Sequence, residues 1–222
     1  VRRKKRSQLA EIWRRMRRNR LAMLGLAVVV ILILVAVFAD QIADYNTVVI
    51  KQDVVHRFQG PSAEHWFGTD ELGRDIFARL VHGARISLLV GVVAVAIALA
   101  TGGTLGAIAG YFGGVVDNVI MRVMDVFLSI PILLLAIMIV AALGSSMTNQ
   151  MIAIGLASMP TFARVVRASV LSVKDQEFVE AARAIGATNG HIILRHILPN
   201  CLSPIIVQAT LRVATAILST AS

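Results

Sequence analysis

Residues 126–163 read VFLSIPILLLAIMIVAALGSSMTNQMIAIGLASMPTFA and contain no charged side chain. A bilayer core asks for roughly 20 apolar residues of helix, so this block is too long for one crossing and must be interrupted. The polar run Gly144-Ser145-Ser146-Met147-Thr148-Asn149-Gln150 supplies the break. Two membrane helices are therefore predicted, about residues 119–143 and 151–166, joined by an external turn. Pro131 and Pro160 fall inside them, where neighbouring helices re-satisfy the freed carbonyls. Arg164 and Arg167, just past the block, are expected to snorkel to the inner interface.

The rest of the chain follows the same pattern. Residues 21–39 form an apolar first helix, preceded by residues 1–20, which hold ten of the 22 Lys and Arg against the single acid Glu11. A basic block beside an apolar span sets orientation, so the N-terminus is placed in the cytoplasm. The apolar run is too long for a signal-peptide core, and Asp40-Gln41 after it is no small-residue cleavage site. Residues 40–83 then lie outside. In that loop Asp75 to Val81 reads as a short interfacial helix with Asp75 and Arg79 at ion-pair spacing. Residues 84–222 form the core, with spans near 86–111, 119–143, 151–166 and 201–222. On the second span Gly102, Gly106, Gly110 and Gly114 repeat every four residues, a face that lets a neighbouring backbone approach closely. The architecture expected is all-α integral membrane, with five spans. The fifth ends at Ser222 without a flanking anchor, and a sixth span is expected beyond it.

Composition excludes several function classes. With 57% hydrophobic and 16% charged residues and a mean hydropathy of +0.75, the chain lacks the polar surface of a soluble domain. Its net charge of +9 sits mostly in the N-terminal block, which argues for membrane orientation and against nucleic-acid binding. Cys201 is the single cysteine, so no internal disulfide forms. His56, His65 and His82 lie outside while His191 and His196 lie inside, so no metal site is expected. No histidine falls in a predicted span, which closes the intramembrane protease class. No Gly-x-x-x-x-Gly-Lys-Ser/Thr loop is present, and none of the four lysines follows a glycine. The chain is read as non-enzymatic, with a channel or secondary transporter as the rival class.

Two polar features remain. Residues 168–200 stand on the cytoplasmic side. There residues 174–185 favour a helix, Gly186 to Gly190 a turn, and residues 191–198 a second short helix disrupted by Pro199. Such a projection has no obvious use in burying the chain's own surface and reads as a docking element; a β-branched residue at Gly186 is expected to abolish function. In the fifth span Gln208, Arg212, Thr215 and Ser219 share one face. An intramembrane arginine marks a cavity or a partner, so this face either lines a path or pairs structurally, with Asp125 as the nearest carboxylate in a span.

The cytoplasmic segment Glu180-Ala181-Ala182-Arg183-Ala184-Ile185-Gly186, followed by Ile197-Leu198-Pro199, resembles the "EAA" loop of bacterial ATP-binding-cassette importer permeases. His196 stands where that pattern usually has isoleucine, a small departure. The segments Pro61 to Asp75 and Ala109 to Gly114, Asp117 with Ile120-Met121-Arg122, and Arg164 to Arg167 resemble the dipeptide/oligopeptide C-type subfamily, and together the likeness covers nearly all the chain. The resemblance implies a type I ABC importer transmembrane domain in the bacterial inner membrane. It implies a homologous second permease, two cytoplasmic ATPase subunits and an external substrate-binding protein. ATP and magnesium would be held by the ATPases, with no cofactor in this chain. Glu180, Ala181, Ala182, Gly186, Asn189, Gly190, His191 and Pro199 would belong to the ATPase-coupling loop. The cargo implied is a di- or oligopeptide, with glutathione or a nickel chelate as alternatives from close relatives.

Overall fold

The computed structural model describes residue 14 and residues 16–220, the last two as backbone. The basic N-terminus up to residue 13, residue 15 and the side chain of Ser219 lie outside the described residues. Among those described there is no strand, only a single antiparallel bridge between Thr69 and Asp75. Among the described residues four helices are long and apolar enough to cross a membrane, or five if one bent pair counts as a span. The chain divides into residues 1–88 and 89–222.

In the first unit, helix α1 (Arg20–Val37) is capped by Asn19, whose side chain accepts from the Ala22 N–H at 3.2 Å. Most of its apolar residues are exposed, as a helix solvated by lipid tails would have them. After the short α2 (Ala39–Ile42), Asp44 caps a wide turn at Tyr45–Val49. Its carboxyl is held below the usual range by the N–H and hydroxyl of Thr47. The external loop closes on Asp70. That carboxylate accepts from the backbone N–H of Leu72 (2.9 Å) and Arg74 (3.0 Å), and from the guanidinium groups of Arg74 (2.8 Å) and Arg79 (3.2 Å). Partial burial pushes Asp70 up, but the N–H donors of Arg74 and Leu72 and the Arg74 side chain outweigh it, and the net shift is downward. Gly73 makes the loop possible: at φ +72° a Cβ would run into the carbonyl of Asp53.

The predicted ion pair between Asp75 and Arg79 does not form. Asp75 instead caps the next helix, accepting the Ala78 N–H at 2.7 Å, and its other oxygen lies 2.8 Å from His65 Nδ1. A residue at the helix N-cap is drawn to orphan N–H groups rather than to a side chain one turn ahead. Arg79 turns to Asp70. The "short" interfacial helix is the opening of α3 (Ile76–Phe112), a continuous helix of 37 residues. At 1.5 Å per residue it is about 55 Å long, well beyond the hydrocarbon thickness.

In the second unit, the chain leaves α3 through Gly113 and Gly114, both at positive φ, and forms α4 (Gly114–Leu128), α5 (Ile132–Leu143), α6 (Met147–Val173), α7 (Glu177–Ala184), and then α8 (Asn189–His191), which runs through a π-helical segment, Ile192–Ile197, into α9 (Leu198–Thr220). Three of the predicted glycines press α3 onto α6. A Cβ on Gly102 would collide with the carbonyl of Met159, one on Gly106 with that of Ala163, and one on Gly110 would lie 2.9 Å from Val170 Cβ. A Cβ on Gly155 of α6 would in turn lie 2.9 Å from the Ala94 carbonyl oxygen. Gly114 departs from the expected stripe: nothing lies within 4 Å of its Cβ position. The helix has already ended at Phe112, two residues earlier, so the four-residue period no longer applies there.

The span expected at 119–143 is not one helix. α4 and α5 meet at 90° across Ser129-Ile130-Pro131. Pro131 lacks an N–H and disfavours helical backbone at the residue before it, and it becomes the N-cap of α5. The break at residues 144–146 falls where expected, with Gly144 at φ +95° and Asn149 Nδ2 donating to the Leu143 carbonyl at 2.7 Å. Pro199, by contrast, does not interrupt its helix. The preceding segment has widened to π geometry, the Leu198 N–H donating to Ile193 five residues back. That shift of register relieves the clash a proline ring makes with the carbonyl four residues earlier.

Candidate functional site

The cytoplasmic loop is built around a buried edge and an exposed one. In α7, Val179 (0% exposed) and Ala182 (4%) point inward one turn apart, while Glu180, Ala181, Arg183 and Ala184 face out. The inward pair joins Tyr111 of α3, Val166, Val170 and Val173 of α6, and Ile192 and Ile197 of the π segment in one cluster. The loop is thus packed on the ends of the long helices, which corrects the expectation of a projection with no part in burying the chain's own surface: its inner edge is apolar and closes over Tyr111, Val166 and Val170.

Gly186 terminates α7. It sits at φ +80° and its N–H donates to Arg183 (2.9 Å), while the Ala187 N–H donates back to Ala182 (3.1 Å). This pair of bonds is the Schellman closure that selects glycine. Nothing lies within 4 Å of a Cβ there, so the constraint is conformational, not steric. Thr188 then caps α8, its hydroxyl accepting the His191 N–H at 3.4 Å. Asn189 Oδ1 accepts the Tyr111 hydroxyl at 2.8 Å, and the Arg183 guanidinium lies 5.4 Å from the Tyr111 ring centre. Gly190, His191 and Pro199 are exposed. The rings of His191 and His196 approach to 5.6 Å, a proximity their sequence positions alone did not give.

Two loop-site residues escaped the sequence reading. Tyr111 ties α3 to both halves of the loop, yet in sequence it stands only within the Ala109 to Gly114 segment at the end of an apolar span, with no loop role assigned. Ile185, the residue before Gly186, is 85% exposed. Its signal was available: an isoleucine beside a turn glycine on a helix whose apolar edge is already complete.

Across α9, Arg212 does not pair with Asp125. Its Nη2 donates to Thr161 Oγ1 of α6 at 3.0 Å. Asp125 is taken by Arg164 at 2.7 Å, and Asp117 receives both Nε and Nη2 of Arg167 at 2.5 Å. The two arginines expected to snorkel are therefore the clasps that hold α4 against α6, because a carboxylate within reach stabilises a guanidinium more than interfacial water does. Arg212 and Thr215 line a cavity of about 200 Å³ between α5, α6 and α9, together with Ser158, Ile132 and Leu133. Gln208 lies on the same helix but does not line it.

Residues 102–222 match the family described as the inner membrane component of binding-protein-dependent transport systems, and residues 7–61 match the N-terminal transmembrane domain of oligopeptide transport permease C. The dipeptide transport system permease protein DppC of Alkalihalophilus pseudofirmus is 50% identical over 96% of this chain and 69% of its own length. The glutathione transport system permease protein GsiD of Escherichia coli is 49% identical over 96% of this chain and 70% of its own. Among solved structures, a chain of the MetNI methionine ABC transporter in an inward-facing conformation aligns with a TM-score of 0.56 at 24% identity, over 64% of this chain and 71% of that one; it shares the fold. An apolar helical chain with these matches over nearly its whole length belongs to the permeases of binding-protein-dependent ABC importers, in the dipeptide/oligopeptide subfamily.

Proposed function

We propose that this permease forms one half of a path through the bacterial inner membrane along which di- or oligopeptides move inward by alternating access. A homologous permease would complete the path as a heterodimer, and two cytoplasmic ATPases, which bind ATP and magnesium, would drive it. An external binding protein would deliver the cargo. The N-terminus would face the cytoplasm. Glutathione, itself a peptide and the cargo named for a relative 49% identical, is the alternative substrate.

The observation that supports this most is how the loop is fastened. Glu180, Ala181 and Ile185 stand outward, while Val179, Ala182, Ile192 and Ile197 are locked into the same cluster as α3 and α6. The loop also continues without a break into α9. A push on the outer edge would therefore reach three membrane helices as one packed body, because close-packed interiors transmit strain. Glu180 is exposed and makes no ion pair among the described residues, which leaves it available to a basic partner.

Co-purification from native membranes tests the reading, comparing wild type with Gly186→Val. Forcing a β-branched residue to φ +80° costs at least about 1–2 kcal/mol, enough to displace Ile185 and Glu180. The ATPase should come down with the wild type and be lost from the variant, with uptake abolished. An intact, inserted wild-type chain that captures no ATPase would overturn the proposal.

A further inference from the structure

The cavity between α5, α6 and α9 has an electrostatic character that the proposed path does not by itself explain. Arg212 lines it and makes no ion pair among the described residues; its recorded partner is the neutral hydroxyl of Thr161. A guanidinium at membrane depth without a carboxylate is costly unless something anionic reaches it. Ser158 lines the same cavity, is 7% exposed, and has no hydrogen-bond partner among the described residues. Every sealed polar side-chain atom in the described structure does have one, so the Ser158 hydroxyl is open to the cavity. Buried polar groups are nearly always satisfied; an open hydroxyl beside an open guanidinium is a donor pair awaiting an acceptor.

The third wall adds to this. Ile132 and Leu133, the first turn of α5, line the cavity. The 90° break at Pro131 has created a helix N-terminus there with no side-chain cap, and its leading N–H groups have no carbonyl behind them. The remaining walls are apolar, including Ile154 and Ala216, which lowers the local dielectric and strengthens attraction to an anion. At about 200 Å³ the space equals roughly six waters, room for a carboxylate and part of the residue that bears it.

We propose that this cavity holds a carboxylate of the transported peptide, with Arg212 as its cation and Ser158 as a second donor. The inference rests on the reading of α9 as part of the path. Arg212 then has a specificity role: a peptide with a free carboxylate is held midway, and its amide is not. The same chemistry could come from an aspartate or glutamate of the neighbouring permease, and the test separates the two sources.

The experiment uses the whole importer with its binding protein in proteoliposomes, measuring ATP-driven uptake of one peptide as the free acid and as the C-terminal amide. Because the binding protein is unchanged, its own preference cancels when the acid-to-amide ratio is compared between variants. Arg212→Gln should lower acid uptake about tenfold or more and leave amide uptake within about twofold, and Ser158→Ala should shift the ratio the same way by less. Arg212→Lys should recover part of the preference, which a misfolded protein would not. Equal loss for acid and amide would overturn the proposal and assign Arg212 to a carboxylate of the partner permease. An unchanged ratio with full uptake would also overturn it. Thr215→Cys, in a Cys201→Ser background, decides the underlying reading separately. Labelling by a water-soluble thiol reagent with no change in the acid-to-amide ratio keeps the path and removes the carboxylate site. Absence of labelling removes both.

Discussion

Gly106→Ala should cost stability out of proportion to the one methyl it adds. The new Cβ would lie 2.9 Å from both the carbonyl carbon and the Cα of Ala163, and closer still to the carbonyl oxygen. All three atoms are backbone, so no rotamer change can make room. Ordinary contact begins near 3.4 Å and the carbonyl oxygen lies at 2.3 Å, so α3 and α6 would have to part by about 1 Å along a seam that buries Phe162 and Val166. Overpacking of this kind costs about 1–3 kcal/mol, and an unyielding backbone neighbour places it near the upper end. Replacing glycine by alanine within a helix returns up to about 1 kcal/mol of propensity, leaving a net loss of about 2 kcal/mol. Gly103→Ala provides the control. It sits in the same helix with the same propensity gain; its Cβ would be tight only against the Leu99 side chain, at 3.2 Å, which can rotate away, and would meet Val166 Cγ2 at an ordinary 3.9 Å. Thermal unfolding of the purified protein in detergent, followed by fluorescence-detected size exclusion, reads the difference. Gly106→Ala should melt about 4–8 °C below wild type, with Gly103→Ala at or above it. If Gly106→Ala matches wild type, or both variants fall equally, the close α3–α6 approach is not what stabilises the seam.

The two clasps on α4 should differ in strength. Asp117–Arg167, with side chains 13% and 33% exposed, should show a coupling of about 1.5–3 kcal/mol in a double-mutant cycle of Asp117→Asn and Arg167→Gln. Asp125–Arg164, at 48% and 54%, should give less than about 1 kcal/mol, and the reverse order would contradict the structure. Asp70 governs the external loop in a pH-dependent way. Its carboxyl titrates below its ordinary value in the folded loop, so its contribution is complete above the unfolded value near 3.9 and is lost as pH falls through the lower folded value. Pepsin should therefore cut within residues 57–75 only below about pH 4, whereas Asp70→Asn should expose the loop to proteases at neutral pH. Opening of the wild-type loop at pH 5 to 6 would remove Asp70 from that role.

Much of this protein is legible in sequence because a membrane makes structure local. With no water to satisfy backbone groups, an apolar run of sufficient length must be helical, and residues 21–39, 86–111 and 151–166 each lie largely inside a long helix. Gly186 was readable for a similar reason: a turn after a helix asks for positive φ, and φ is a property of one residue. The failures share the opposite character. That Pro131 turns the chain by 90° while Pro160 stays within α6 depends on the backbone around each, not on the prolines themselves. Pro199 was misread because a register shift begun at Ile192 accommodates it.

The sequence by itself determined where the apolar segments lie, that a polar loop follows α6, and three of the four glycines on the packed face of α3, since each follows from composition or spacing within one segment. Only the tertiary structure decided which charge meets which. Asp125, the expected partner of Arg212, took Arg164 instead; Arg79 passed over Asp75 for Asp70; and Arg212 faced a cavity without a carboxylate. Ion pairing falls off within a few ångströms, and no spacing along one helix reveals which face of another helix will come that near.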